Sequence, residues 1–417
     1  MFWIKKAIKL RHIHYFKVKS MICIIPNHQS IKYSKICILR TEVSLKQLNN
    51  INYQKICDFH TSSKLCIPPI FAVILRPILR LSAFILGRGI KRWWQKKSTK
   101  EQEKYKLLFR ENRNIFLGSL ALLCLMSIVY YLMHIETDQI TKRKRFIIFN
   151  RKEQAALGQL IFEMHLEEHK ESLVTKDHPA YKRLIKIIEN ILIKNKDLIS
   201  AEDKNWTLTI VDSPVKNAYV LPERNIFFFL GVLNIVDNDD QLSIILAHEM
   251  AHALLLHSVE QFSHALLIDV LMTIPILLLW AIFPDSLAFL LHMIGQHIVN
   301  LLHNLPYNRS LENEADEVGL NLAAKACVDV REAVVFWGTM RMLSEMKLAS
   351  NIVPWLSTHP AHGDREQTLN KKMTKAIELM KSSGCPELNP IDPRKKFYER
   401  TLKDHEFYFK QKGIIIT

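Results

Sequence analysis

The run Gln241-Leu-Ser-Ile-Ile-Leu-Ala-His-Glu-Met-Ala-His-Ala-Leu-Leu-Leu-His257 constrains this chain more than any other stretch, because it sets His248, Glu249 and His252 inside an otherwise apolar helix. Apolar residues cover nearly its whole circumference, so it predicts a helix buried on every side rather than an amphipathic surface one. Asp237, Asn238, Asp239 and Asp240 ahead of it supply capping side chains and negative charge at the positive end of the helix dipole. A carboxylate and two imidazoles buried there are costly unless something compensates them, and a metal ion does so directly. The histidines stand at i and i+4 on one face with Glu249 beside them, the His-Glu-x-x-His spacing of a zinc hydrolase. The bland alternative is a pair of core histidines satisfied by neighbouring hydrogen bonds.

A third ligand is needed. The metzincin solution fails, since it requires glycine at position 255 and histidine at position 258, where the chain has Leu255 and Ser258. Downstream, Arg309-Ser-Leu-Glu-Asn-Glu-Ala-Asp-Glu-Val-Gly319 reads as helical and puts Glu312 and Asp316 on one face at i and i+4. Two histidines and one glutamate, with water in the fourth position, make a catalytic zinc site rather than a closed structural one.

His248-Glu-Met-Ala-His252, Glu312-Asn-Glu-Ala-Asp316 and Ser357-Thr-His-Pro-Ala-His-Gly-Asp-Arg365 together resemble the zincin family of HtpX and the prenyl-protein CAAX endopeptidase. Residues 146–393 are most similar to its mitochondrial inner-membrane branch, through Val211–Pro222, Leu322–Cys327 and Trp355–Pro360 as well. The resemblance implies an α+β fold, a mostly helical zincin domain with a small antiparallel sheet, preceded by a transmembrane helix. It implies one zinc ion per subunit on His248, His252 and Glu312, with Glu249 as general base and Asp316 orienting a ligand histidine. His359 and Arg365 would donate to the tetrahedral oxyanion, and Asn217, Ala218 and Tyr219 would bind substrate backbone by strand addition. Hydrolysis of inner-membrane proteins in stress response and quality control follows, including the dynamin-like GTPase of inner-membrane fusion, together with self-cleavage and homo-oligomers. His257 and His362 read as structural. One departure from the family is Glu223-Arg224, where relatives carry glycine after the proline.

The formal net charge of +16 is unevenly spread: residues 1–100 hold 20 Lys and Arg against Glu42 and Asp58, and the remaining 317 residues hold 37 against 39. A nucleic-acid-binding domain would keep its basic residues on the folded part, so nucleic acid is excluded as a partner. Residues 1–66 instead predict a mitochondrial presequence, acid-poor and interleaving Lys and Arg with apolar residues, although Lys-rich rather than Arg-rich. Residues 67–114 form a basic amphipathic segment in which Arg76, Pro77 and Arg80 interrupt an apolar run. It reads either as a helix lying on membrane lipid or as more of the removed presequence.

Residues 115–133 carry no charge and predict the transmembrane helix. Basic residues flank it almost equally, seven in 95–114 and six in 136–155, so the positive-inside count leaves its orientation open. The zinc domain then spans 137–393, and 394–417 is a tail without chemical motifs. Helices are predicted over 152–172 and 178–195, and strands over 205–211, 217–222 and 225–230. The stretches 331–341 and 362–382 read as surface-facing helices. A second apolar region, 265–302, would bury Asp269 and His292 in lipid if it spanned, so a hairpin packed on the domain or dipping into the bilayer is preferred, with a two-span hairpin as the alternative. Cys23, Cys37, Cys57 and Cys66 fall in the presequence region and Cys124 in the span, leaving Cys327 and Cys385 as ordinary thiols or a redox pair. The reading is thus a single-pass inner-membrane protease facing the intermembrane space. Its rivals are an HtpX-like or CAAX-type protease of another membrane and a non-catalytic zinc-binding scaffold.

Overall fold

The computed structural model describes residues 69–199, 205–345, 359 and 365–400. Residues 1–66, expected to be a presequence, with their four cysteines, His362 and the tail from 401 lie outside the described residues. The fold is mostly helical with two small sheets.

Helix α1 (Pro69–Gln95) leads through α2 (Thr99–Glu111) to α3 (Arg113–Met133), which contains an 18-residue stretch of mean hydropathy 2.2 and has no buried residue. Strands β1 (Ile135–Thr137) and β2 (Lys144–Phe146) form a hairpin immediately after it. Helices α4 (Arg151–His169) and α5 (Pro179–Lys194) follow as the sequence predicts. Asn150 starts α4 with a capping box to Glu153, and α5 turns Leu184, Ile188 and Ile191 inward.

The three predicted strands appear as β3 (Thr207–Val211), β4 (Ala218–Leu221) and β5 (Asn225–Phe229). β4 runs antiparallel to β5, and β3 joins β5 in parallel, giving the order β3-β5-β4 with β4 at an edge. The turn between β4 and β5 is made without glycine: Glu223 and Arg224 both take left-handed backbone, φ 66° and 63°. That conformation costs a residue with a side chain about 1–2 kcal/mol, so the tight reversal is kept despite its sequence.

At the centre lies α6 (Asp239–Leu254), and every residue from Gln241 to Ala253 is buried, as its unbroken apolar circumference predicts. Asn238 caps it by accepting from the Gln241 backbone N–H at 2.8 Å. Helix α7 (His257–Ile282), α8 (Asp285–Val299) and, after a π-helical turn, α9 (Leu305–Lys325) return the chain to α6.

Helices α10 (Glu332–Glu345) and α11 (Arg365–Ser382) close the domain. The prediction that 331–341 faces the surface is incorrect: Val334, Val335, Phe336, Trp337 and Met340 are all buried, because α10 packs against α6 and is covered by α11. A disulfide joins Cys327, just past α9, to Cys385, just past α11, and closes a separation of 58 residues. A cross-link over such a loop stabilises by about 2–4 kcal/mol, here holding together the ends of two helices that reach the centre.

Within the amphipathic segment 67–114, α1 lies along α7, and Arg76 and Arg80 point at Asp269 of that helix. Paired this way, three charges that looked incompatible with an apolar setting satisfy one another.

Candidate active site

Four side chains from three places meet in one buried cluster: His248 and His252 from α6, Glu312 from α9, and His359. Gly319 explains how α9 comes so near, since a Cβ there would lie 2.9 Å from the His248 Cα. The close approach brings two carboxylates of α9, Glu312 and Asp316, against the imidazoles of α6.

The distances suit a small cation. His248 Nε2 and His252 Nε2 are 3.1 Å apart, and Glu312 lies 3.5 Å from the first and 3.4 Å from the second. A tetrahedral ion with bonds of about 2.0–2.1 Å spaces its donors about 3.3–3.4 Å apart. His359 Nδ1 stands 3.3 Å from His248 Nε2 and 3.0 Å from Glu312, at the remaining corner. Nitrogen and carboxylate donors at this spacing fit zinc better than magnesium or calcium, which take oxygen ligands.

Each α6 histidine has a partner that fixes its tautomer. The His248 Nδ1–H donates to Asp316 at 3.0 Å, turning Nε2 toward the cluster. For His252 the partner is His257, which the sequence reading treats as structural. The His252 Nδ1–H donates to His257 Nδ1 at 2.9 Å, and the His257 Nε2–H donates to Glu314 at 3.2 Å. Leu256, in left-handed conformation at φ 54°, folds the start of α7 back so that His257 reaches its neighbour five residues earlier. No glycine marks that reversal, so only the His-x4-His spacing hinted at it. Glu314, the second carboxylate that a third-ligand search in this helix would try, is taken by His257 and by the Arg143 Nε–H at 2.7 Å. Burial opposes ionisation of Glu314, but His257, Thr141 and Arg143 outweigh it and draw its pKa down to about 2.

Glu249 is 1% exposed, and its Oε1 lies 3.5 Å from His359 Nε2. Arg365 is buried, stacked 3.3 Å over the Trp337 ring and joined to Asp316 through Nε at 2.5 Å and Nη2 at 2.7 Å. Its Nη1 faces Glu312 at 3.1 Å. The guanidinium therefore braces the two carboxylates of α9 rather than presenting itself to a bound peptide. Ala218 and Tyr219 lie on the edge strand β4, with Asn217 just before it, and β4 packs against α6.

Burial and mutual pairing set the charge of the cluster. Burial works against a charged His248, but hydrogen bonds to Asp316 and Glu312 prevail and raise its pKa to about 9. Burial drives His252 well below the ordinary imidazole value. Glu312 is also penalised by burial, yet His359 and the hydrogen bonds of His248 and His252 hold it far below the usual carboxylate range. Metal uptake should displace the proton that His248 holds below about pH 9, so affinity should fall as pH decreases. Calorimetric zinc titrations in buffers of different ionisation enthalpy measure this directly; an affinity independent of pH with no proton released would show the charge assignment to be wrong.

The peptidase family M48 model matches residues 180–373. The chain is 37% identical to the mitochondrial metalloendopeptidase OMA1 of Bos taurus, over 88% of its own length and 72% of the relative's. For the Homo sapiens protein of that name the identity is also 37%, over 85% and 68%. With the Saccharomyces cerevisiae mitochondrial metalloendopeptidase OMA1 it is 27%, over 62% and 75%.

Proposed function

Since this chain belongs to peptidase family M48, among the mitochondrial OMA1 metalloendopeptidases, we propose that it is a zinc endopeptidase of the inner membrane with its active site at His248, His252, Glu312 and Glu249. The observation that carries the reading is the near-tetrahedral spacing of three donors beside a buried carboxylate that is not one of them. Zinc, when bound, supplies Lewis acidity to the attacking water and the scissile carbonyl. Glu249 takes the proton of that water and returns it to the leaving amine. Asp316 and the His257–Glu314 pair keep both histidine Nε2 atoms aimed inward. Arg365 holds Glu312 and Asp316 in place, a positioning role in preference to oxyanion donation. The edge strand β4 receives the substrate backbone, with Asn217, Ala218 and Tyr219 along it.

His359 is the remaining candidate donor to the oxyanion, and its place at the fourth corner sets up a clean distinction. His359→Ala should lower turnover about 10²–10³-fold with zinc content unchanged. Loss of zinc along with turnover would make His359 a ligand instead.

Membrane proteins within reach of the domain are the substrates we propose, the dynamin-like fusion GTPase among them by family likeness, which also supports homo-oligomers. The domain is assigned to the intermembrane space, with α3 as the obligatory crossing. Supporting this, the Cys327–Cys385 disulfide favours an oxidising compartment. Protease added to mitoplasts should remove a C-terminal epitope that intact mitochondria protect. Protection lasting until the inner membrane is dissolved would put the domain in the matrix.

A further inference from the structure

α7 is 26 residues long and contains an 18-residue stretch with a mean hydropathy of 2.4, yet little of that stretch is buried. At 1.5 Å per residue it reaches about 39 Å, enough to cross a hydrocarbon core. The obstacle is Asp269, which is 2% exposed in the middle of the helix. Its carboxylate accepts from the Arg76 Nε–H at 2.6 Å and from the Arg80 Nε–H at 2.8 Å, both on α1. An ionised group at membrane depth is tolerated when it is paired, and this one is paired twice.

The two helices stay together beyond the charges. Phe84 meets Trp280 edge-on at 4.5 Å between centroids. Gly87 lets the backbones close up, since a Cβ there would lie 2.5 Å from the Leu277 carbonyl oxygen. The Lys91 Nζ donates to the Phe283 carbonyl at 3.0 Å, and both Arg88 and Lys91 pair with Asp285. The contacts therefore advance in step along both chains, and the helices run parallel from the domain outward.

The outward faces tell what surrounds the pair. Ile78, Leu81 and Ile85 of α1 and Leu271, Ile274 and Leu278 of α7 are each 40–57% exposed. A continuous apolar belt of this kind marks a surface that water does not cover. It ends at Arg88, Lys91, Arg92, Trp93 and Trp94, the residue types that settle among lipid headgroups.

We infer that α1 and α7 form an ion-paired helix pair embedded in the bilayer beside α3, so that residues 69–95 are a permanent part of the working enzyme and not a discarded leader. The occupant of the belt is lipid. Without α1, Asp269 would stand alone in hydrocarbon, and α7 could not remain there. The proposal replaces the single-pass expectation, and it rests on membrane residence rather than on the metal assignment.

It is tested on the full chain in its native membrane, carrying Glu249→Gln so that peptidase activity has no part in the result. The N-terminus of the mature protein, read by mass spectrometry, should fall before Pro69; a start beyond Gln95 overturns the proposal. A photoactivatable phosphatidylcholine should label peptides of both helices, whereas labelling confined to 113–133 would remove α1 and α7 from the lipid. Asp269→Leu alone should lower the membrane-inserted amount about tenfold, and the triple change with Arg76→Leu and Arg80→Leu should restore it. Equal loss in both variants would mean that the three charges do not act as a unit. None of these readings depends on catalysis, so a failed zinc assignment would leave them intact.

Discussion

Glu249→Gln should lower peptide-bond hydrolysis by about 10²–10⁴-fold while leaving one zinc ion per chain. The amide keeps the size and burial of the carboxylate, so the 1% exposed pocket on α6 has no reason to collapse. What changes is basicity: glutamine cannot accept the proton of the attacking water. The substitution spares His248, His252 and Glu312, whose mutual spacing defines the cluster. Activity assays together with zinc measured by mass spectrometry would check both halves. If zinc disappeared with the activity, Glu249 would be a ligand, and the general base would have to be sought elsewhere.

Glu312→Gln has the opposite signature, because it removes the anionic donor. Losing a residue that only orients a ligand costs about 10–100-fold in metal affinity, so losing the ligand itself should cost more. Zinc should leave the variant under mild chelation, and activity should leave with it. The amide also deprives Arg365 Nη1 and His359 Nδ1 of the carboxylate they face at 3.1 and 3.0 Å. Retained zinc with full affinity would mean that the third donor is not Glu312. Glu314 could hardly replace it, since its carboxylate is held by His257 and Arg143.

How much of this was legible in the residues depends on what each feature required. The burial of α6 and the facing of His248 and His252 follow from local pattern alone, and Asn238 caps the helix within the acidic stretch that signals its start. Glu312 and Asp316 could be placed on one helix face by spacing, but their distances to the histidines depend on Gly319, whose lack of a side chain is a tertiary fact. The contact of His257 with His252 was not legible, because Leu256 reverses the chain in a conformation that leucine rarely adopts. α10 looked half-polar in isolation, and its burial comes from α6 on one side and α11 on the other.

Long-range pairs were the least legible. Arg76 and Arg80 are separated from Asp269 by 193 and 189 residues, so each looked like an expense with no compensation in view. Cys327 and Cys385 offered no spacing motif either, because the helices that bring them together come from separate parts of the domain. The turn at Glu223 and Arg224 lacks the expected glycine but still adopts left-handed backbone, which places β4 on the sheet edge.

The central claim is that one metal ion at His248, His252 and Glu312 makes this chain a peptidase. The most direct measurement strips the detergent-purified full chain with a chelator, returns zinc in substoichiometric steps, and follows cleavage of a peptide substrate. Activity should vanish on stripping, rise in proportion to bound zinc and level off at one ion per chain. Full cleavage by the metal-free chain, or a plateau reached with zinc bound after His248→Ala and His252→Ala, would contradict it.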